Sequence, residues 1–323
     1  MEALGRAGFA ATPVSSLVPA EPGTRRRADF ALCPGVVGFH ARGSSAVVDV
    51  PNCRVLAPAL LAVAEALRRL DLPVLRPEAD AQANLTETGL DLVLRLGRAP
   101  GALECEALSR FAESADLARL SLDLGAGPVP LVVRRVPRLV CGGVPVDPPP
   151  GAFLQATAAG ERAIVASVVE GFADLPEGAR IADLYAGLGT LAFPLASRFR
   201  VVAAEGEASL AEALASAARR AGLSGRVLVE TRDLSLRPFA GADLARLEAA
   251  VLDPPREGAK AQVQALAAAP PSLRRVVYAS CNPATFARDA RILASGGWRA
   301  DHAVAIDQFL WSPHLESVAV FSR

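Results

Sequence analysis

The chain has 323 residues, with 34 basic and 34 acidic side chains, 51% hydrophobic and 21% charged residues. This composition excludes a disordered or fibrous chain and suits two domains with a large core. A formal net charge of zero gives no global warrant for a polyanionic partner, so phosphate contacts would need local clusters such as Arg25-Arg26-Arg27 or Arg274-Arg275, which serve equally well as solvated surface.

Cys33, Cys53, Cys105, Cys141 and Cys281 are scattered, with no CxxC pair. No metal or iron–sulfur cluster is therefore expected, and a reduced cytosolic chain is the default. No apolar run reaches the roughly 18 residues that span a bilayer. Met1 to Arg6 lacks a signal-peptide pattern. The expectation is a cytoplasmic monomer with no membrane partner.

Residues 28–52 alternate around Gly35 and Gly43-Ser44-Ser45 as a β-hairpin would. Pro58 to Leu70 has helical spacing through Leu60, Leu61, Val63 and Leu67. Leu90 to Leu96 and Val129 to Val136 have the pattern of strands, with a helix at Leu103 to Ala115 between them. This is a small α+β domain over residues 1–150, without recognisable catalytic chemistry. The stretch Val144 to Gly151, rich in Pro and Gly, marks its end.

From 151 to 323 the pattern changes. A helix at Glu161 to Phe172 precedes a strand at Arg180 to Leu184, a glycine loop and a helix from Leu191. Strands at Val201 to Ala204, Val227 to Glu230, Leu247 to Leu252 and Arg275 to Ala279 follow, with a helix at Ala208 to Ala221 among them. A helix at Pro283 to Leu293 and a strand at Ser317 to Phe321 close the chain. Alternating strands and helices predict an α/β domain with a parallel, doubly wound sheet. Ligand sites in such sheets form at the carboxyl ends of the strands.

Three loops fall at those ends. The first, Asp183-Leu184-Tyr185-Ala186-Gly187-Leu188-Gly189-Thr190, has glycines where a backbone must approach a ligand or take positive φ. It lacks the spacing of a dinucleotide fingerprint and the GK[ST] ending of a P-loop. Glu205 ends the next strand, where a carboxylate can bind both ribose hydroxyls of an adenosine, and Asp233 could sit near the adenine. A tight turn with a surface glutamate is the plainer alternative.

In the second loop, Asp253-Pro254-Pro255-Arg256, two prolines stiffen the chain and fix Asp253 and Arg256 at a pocket mouth; a purely structural turn stays open. The third, Ser280-Cys281-Asn282-Pro283, puts Cys281 in a turn at a strand end. Pro283 can occupy the first turn of the following helix, whose dipole favours a thiolate. A small buried hydrophobe is the plainer alternative for Cys281. Glu316, in Pro313-His314-Leu315-Glu316-Ser317, precedes the last strand and would ordinarily be solvated.

Taken in order, Phe153-Leu154-Gln155, DLYAGLGT, LDPPREGA, SCNPATFARD and HLESV resemble the RNA uracil-C5 methyltransferases, the tRNA and rRNA 5-methyluridine enzymes. The resemblance runs from Gly151 to Arg323 and more loosely upstream, where Arg25 to Ala31 and Gly38 to Pro58 are similar to the family's central domain, which implies an RNA contact. It implies a Rossmann-like, class I fold, S-adenosyl-L-methionine as cofactor and rRNA or tRNA as partner. Cys281 would be the nucleophile and Glu316 the general base. Gln155, Tyr185, Gly187, Gly189, Thr190, Glu205, Asp233 and Asp253 would line the cofactor and base pocket, and Arg256 and Asn282 would bind substrate.

The chemistry gives the two catalytic residues their reason. Uracil C5 is a weak nucleophile until a thiolate adds at C6, and a base must then remove the C5 proton. The site is expected to lower the thiol pKa or otherwise activate the attack. Family members often carry an N-terminal oligonucleotide-binding barrel or a cluster-binding cysteine set, and this chain starts downstream of where either would lie. A compact form and a truncated one both stay open, and so does the choice of RNA. Thr190 and Phe153-Leu154-Gln155 also differ from commoner family spellings. Two alternatives remain: a cytosine-C5 or amino-group methyltransferase, and a non-catalytic RNA-binding relic.

Overall fold

A computed structural model describes residues 2–15, 17–41 and 43–323. The chain divides into two compact units, and the division is not a single cut at 150/151. One unit comprises Glu21–Leu139 and Asp147–Ala158, the other Met1–Ala20, Val140–Val146 and Ala159–Arg323.

The chain opens with α1 (Glu2–Arg6), which belongs to the second of these units. The first unit then builds β1 (Arg27–Cys33), β2 (Val36–His40), β3 (Val47–Asp49), α2 (Pro58–Arg69), β4 (Ala79–Thr86), β5 (Gly89–Arg95), α3 (Ala102–Ser114), β6 (Leu117–Asp123) and β7 (Pro128–Val133). Its sheet has the order β3-β2-β1-β4-β5-β6-β7, antiparallel except for the β5–β6 pair. Leu60, Val63 and Leu67 of α2 and Leu108 and Phe111 of α3 pack in one core with Phe30, Leu92 and Leu120 from the strands. Two strands of this sheet, β4 and β6, are not among those expected from the sequence. Buried Asp91 receives Nε and Nη2 of Arg119, each at 2.8 Å. The pair's geometry offsets the cost of burying two charges.

The remaining elements are β8 (Leu139–Cys141), β9 (Val144–Val146), α4 (Ala158–Glu170), β10 (Arg180–Leu184), α5 (Ala192–Leu195), β11 (Arg200–Glu205), α6 (Ala208–Arg220), β12 (Val227–Thr231), α7 (Ala242–Ala245), β13 (Ala249–Leu252), α8 (Lys260–Ala267), β14 (Arg275–Ser280), α9 (Pro283–Ser295), β15 (Arg299–Ile306) and β16 (Glu316–Ser322). The second unit's sheet has the order β12-β11-β10-β13-β14-β16-β15. β10 to β14 run parallel, as the alternation of strands and helices predicts. The expectation of a wholly parallel sheet is corrected at one edge: β16 lies antiparallel to β14, and β15, which was not foreseen, is antiparallel to β16. Two strands joined by a short link can pair only as a hairpin, whereas parallel neighbours need a long crossover.

Chain order reverses around β10, which has β11 on one side and β13 on the other. That is the switch point at which doubly wound sheets open a crevice. The register sets the strand ends level: Leu184 pairs with both Ala204 and Leu252, Leu252 with Tyr278, and Ser280 with Ser317.

The N-terminal residues complete this unit. Leu4 and Ala7 are buried in its core, and the Phe9 ring meets Phe321 edge to face at 5.5 Å. Beyond them the chain follows β15: Ala303 N donates to Pro13 O, Ser15 N to Ala303 O, Val18 N to Ala305 O and Asp307 N to Val18 O. Residues 13–15 and 17–18 thus cover the sheet edge that β15 would otherwise expose. No helix among the described residues is long and apolar enough to cross a membrane.

Candidate active site

The glycine loop leaves β10 through three consecutive left-handed positions with one residue between each: Tyr185 at φ 69°, Gly187 at φ 54° and Gly189 at φ 85°. Positive φ is costly for a tyrosine. Here it is held because the N–H groups of Tyr185 and Ala186 both donate to Ala204 O, at 3.0 Å each. At Gly189 a Cβ would stand 2.7 Å from the Phe193 ring, so no side chain fits without moving the ring. Half-buried Thr190 ends the loop.

Glu205, at the end of β11, is tied to this loop. Its Oε2 accepts from Gly187 N and its Oε1 from Glu207 N, both at 2.8 Å. The carboxylate is thereby fixed in place with lone pairs to spare. Asp233 follows β12 on the exposed rim, where the Ser235 hydroxyl and N–H donate to it and hold its pKa below the usual carboxylate range. Asp253 follows β13, and its N–H donates to Leu184 O at 3.3 Å.

Asp183 carries a signal that the motif alone did not convey. It is fully buried, with no side-chain partner, and only the backbone N–H of Ala192 favours its charged form. Burial, then the nearby Asp253, pushes its pKa up to about 8. Glu205, Asp233 and Asp253 give the carboxyl end of the sheet a set of acceptors suited to a ligand bearing positive charge and hydroxyl groups. Tyr185 stays a phenol, its pKa raised to about 12 by burial. Gln155 belongs to the other unit, where it is buried and its carbonyl accepts from Arg26 Nε at 3.1 Å.

Cys281 follows β14 as a free, half-buried thiol, just past the Ser280–Ser317 pair that brings it level with Glu316. Burial, then Glu316, pushes its pKa up, while Arg256 opposes them. This direction corrects the first half of the expectation, a lowered thiol pKa, and leaves the second, activation of the attack. Pro283 does sit in the first turn of α9.

Glu316 is buried, 2% exposed, rather than solvated. Burial, then Asp253, raises its pKa to about 8, against a hydrogen bond from Gln308. A carboxyl tuned to that range can exchange a proton near neutral pH.

Asn282 caps α9 with its Oδ1, which accepts from Ala284 N at 3.0 Å, and its Nδ2 donates to Arg256 O at 2.9 Å. Thr285 Oγ1 donates to the same carbonyl. One end of the Asn282 amide therefore caps α9 while the other holds the proline loop, with exposed Arg256 at its tip. Buried Asp289, to which sequence reasoning gave no role, continues this support. It accepts from Tyr278 Oη and Ala259 N at 2.7 Å each, and from Arg288 Nε. The structure thus brings together Asp253, Arg256, Cys281 and Glu316 at adjacent strand ends.

Known proteins are similar to this chain in sequence and in fold. The family model described as tRNA (uracil-5-)-methyltransferase matches residues 149–323, more than half of the chain. An uncharacterized RNA methyltransferase of Brucella suis is 40% identical over 320 residues, covering 96% of this chain and 74% of the relative. The 23S rRNA (uracil(1939)-C(5))-methyltransferase RlmD of Pseudomonas putida is 34% identical over 313 residues, covering 93% and 68%. The crystal structure of Pyrococcus abyssi tRNA (uracil-54, C5)-methyltransferase in complex with S-adenosyl-L-homocysteine is similar in fold, with a TM-score of 0.72 at 21% identity, covering 99% of this chain and 81% of that one. The chain belongs to the tRNA (uracil-5-)-methyltransferase family.

Proposed function

We propose that this protein methylates C5 of a uridine in rRNA or tRNA, using S-adenosyl-L-methionine, through a transient bond between Cys281 and uracil C6. The observation that carries the reading is the meeting of a thiol and a buried carboxyl of raised pKa at the ends of β14 and β16, beside Asp253 and Arg256.

When bound, S-adenosyl-L-methionine supplies an electrophilic methyl group for C5. Glu205 suits the ribose hydroxyls and Asp233 the adenine rim, while Tyr185, Gly187, Gly189 and Thr190 shape the loop around the cofactor. The carboxylate of Glu205, held by Gly187 N and Glu207 N with lone pairs to spare, supports that fit. Gln155 is proposed as a further cofactor contact on the strength of its place in the family motif.

Cys281 Sγ adds to C6, and the C5–C6 π electrons move toward O4, which makes C5 nucleophilic. Arg256 favours the thiolate at this step, and Asp253 can accept from the N3–H of the uracil. Once C5 is methylated, Glu316 takes its proton. The C5–H electrons re-form the double bond, and the C6–S electrons return to Cys281. A uridine in a stacked region must be turned out to reach these groups.

The unit containing Glu21–Leu139 is proposed as an RNA contact. Arg27 lies over the exposed Phe153 ring at 4.8 Å from its centroid, a surface fit for stacking and phosphate binding. A cytoplasmic monomer is the accompanying expectation. The test is nucleoside mass spectrometry of unmodified tRNA and rRNA after incubation with isotope-labelled S-adenosyl-L-methionine. Labelled 5-methyluridine is expected; a different labelled nucleoside would move the chain to another chemistry.

A further inference from the structure

Gln308 lies in the link between β15 and β16 and is 1% exposed. Its Nε2 donates to Glu316 Oε2 at 3.0 Å in a buried hydrogen bond. The link is held on both sides. Ile306 pairs with Glu316, Asp307 N donates to Val18 O, and Asp307 Oδ1 accepts from Phe309 N. The amide thus reaches Glu316 from a fixed backbone.

The other groups that act on Glu316 oppose its ionisation. Asp253 at the end of β13 raises its pKa by like-charge repulsion, and Cys281 at the end of β14 is a second anion whenever it is a thiolate. Asp307, on the same link, is committed to Phe309 N. Arg256 favours the charged form of Cys281. Gln308 is the donor that favours the Glu316 carboxylate.

We propose that Gln308 is the positioning residue of the general base: its amide holds Oε2 of Glu316 and leaves Oε1 to take the C5 proton. This rests on the reading of Glu316 as base. In the step it serves, the C5–H bond breaks toward Oε1, its electrons form C5=C6, and the C6–S pair returns to Cys281 as thiolate. A donor at Oε2 stabilises the carboxylate before the transfer and stops the side chain from turning both oxygens away from C5.

The test uses the full chain with Gln308→Met, which keeps the length and apolar bulk and removes the donor. Two readouts are followed between pH 6 and pH 10: labelled 5-methyluridine formed, and denaturation-stable protein–RNA adduct. The decay of preformed adduct after a pH jump isolates the step in which Glu316 acts. In Gln308→Met the rise of that decay with pH is expected to move up by about one pH unit, a tenfold loss at pH 7 that is recovered above pH 9. Adduct should accumulate at neutral pH. In a Glu316→Gln background, adding Gln308→Met should leave the adduct level unchanged, because the base it serves is gone.

An unshifted profile, or an equal loss at every pH, overturns the proposal. Should Gln308→Met not fold, Gln308→Leu and Gln308→Glu carry the same comparison, the latter moving the profile further because it sets an acceptor against Glu316. If the unsubstituted protein forms no 5-methyluridine, it is the proposed function that fails, and the outcomes are thereby separate.

Discussion

At the level of single residues, the two groups assigned to chemistry rest in their protonated forms. Burial drives both: the Cys281 thiol is pushed up, and Glu316 to about 8. Methyl transfer is therefore expected to rise from pH 6 through pH 8.5, checked by initial rates with labelled cofactor. Cys281→Ala should abolish transfer, by at least about 10⁴-fold as is usual for a lost nucleophile, while calorimetry shows cofactor affinity within about twofold; normal turnover in that variant would end the covalent reading.

Asp183 gives a prediction about stability. Its folded pKa, about 8, lies above the ordinary carboxylate value of 3.8. The folded state then binds a proton that the unfolded state has released, so stability falls as pH rises from about 4 to about 8. Asp183→Asn should flatten this slope and raise the cofactor-free Tm at pH 9 by about 5 °C, with little change at pH 5; differential scanning calorimetry at both pH values decides it. Cys281 was legible because turn residues bracket it at a strand end. Glu316 was located by its motif, but its burial was not, since a glutamate before a strand ordinarily faces water. Gln308 and Asp289 had no local pattern at all, because their meaning lies in partners from other elements.

Elements show the same division. The five parallel strands were legible as apolar runs between helices and turn residues. β4, with the sequence ADAQANLT, is rich in alanine and interrupted by Asp80, Gln82 and Asn84. The buried amide nitrogens find tertiary acceptors, Gln82 Nε2 on Gly151 O and Asn84 Nδ2 on Ala152 O. β15, RADHAVAI, hides in the same way. Small apolar residues give a weak periodic signal, and pairing alone makes these segments strands.

The cap of α9 offers a test at this scale. Asn282→Ala should cost about 1 kcal/mol from the lost cap and also free the Arg256 carbonyl. Asn282→Asp keeps the acceptor for Ala284 N but not the donor to Arg256. Urea unfolding should therefore separate the two variants by about 1 kcal/mol, whereas turnover should fall in both; equal stability would show that the cap contributes nothing. Gly189→Ala, strained at φ 85° and against Phe193, should weaken cofactor binding by tenfold or more by calorimetry.

Across the whole molecule, the catalytic unit is assembled from three separate stretches of chain. The split was legible only as a Pro/Gly-rich stretch near 150, because nothing in the first 20 residues announces a distant partner. Leu4 is 4% exposed in the catalytic core, so Leu4→Ala should destabilise this unit by about 2 to 4 kcal/mol. Urea unfolding followed through Trp298, buried in the same core, should report the loss; an unchanged midpoint would mean that α1 is dispensable.

The pairing of residues 13–15 and 17–18 with β15 also orders events in time. Thr12 and Ala300, joined by a hydrogen bond, are 288 positions apart, so the opening residues leave the ribosome long before the strand they cover exists. Until β15 and β16 emerge, the parallel sheet has an open edge, Glu316 is not yet part of the chain, and the stretch that pins the Gln308 link has nothing to grip. The edge thus needs shielding until synthesis has passed Ser322.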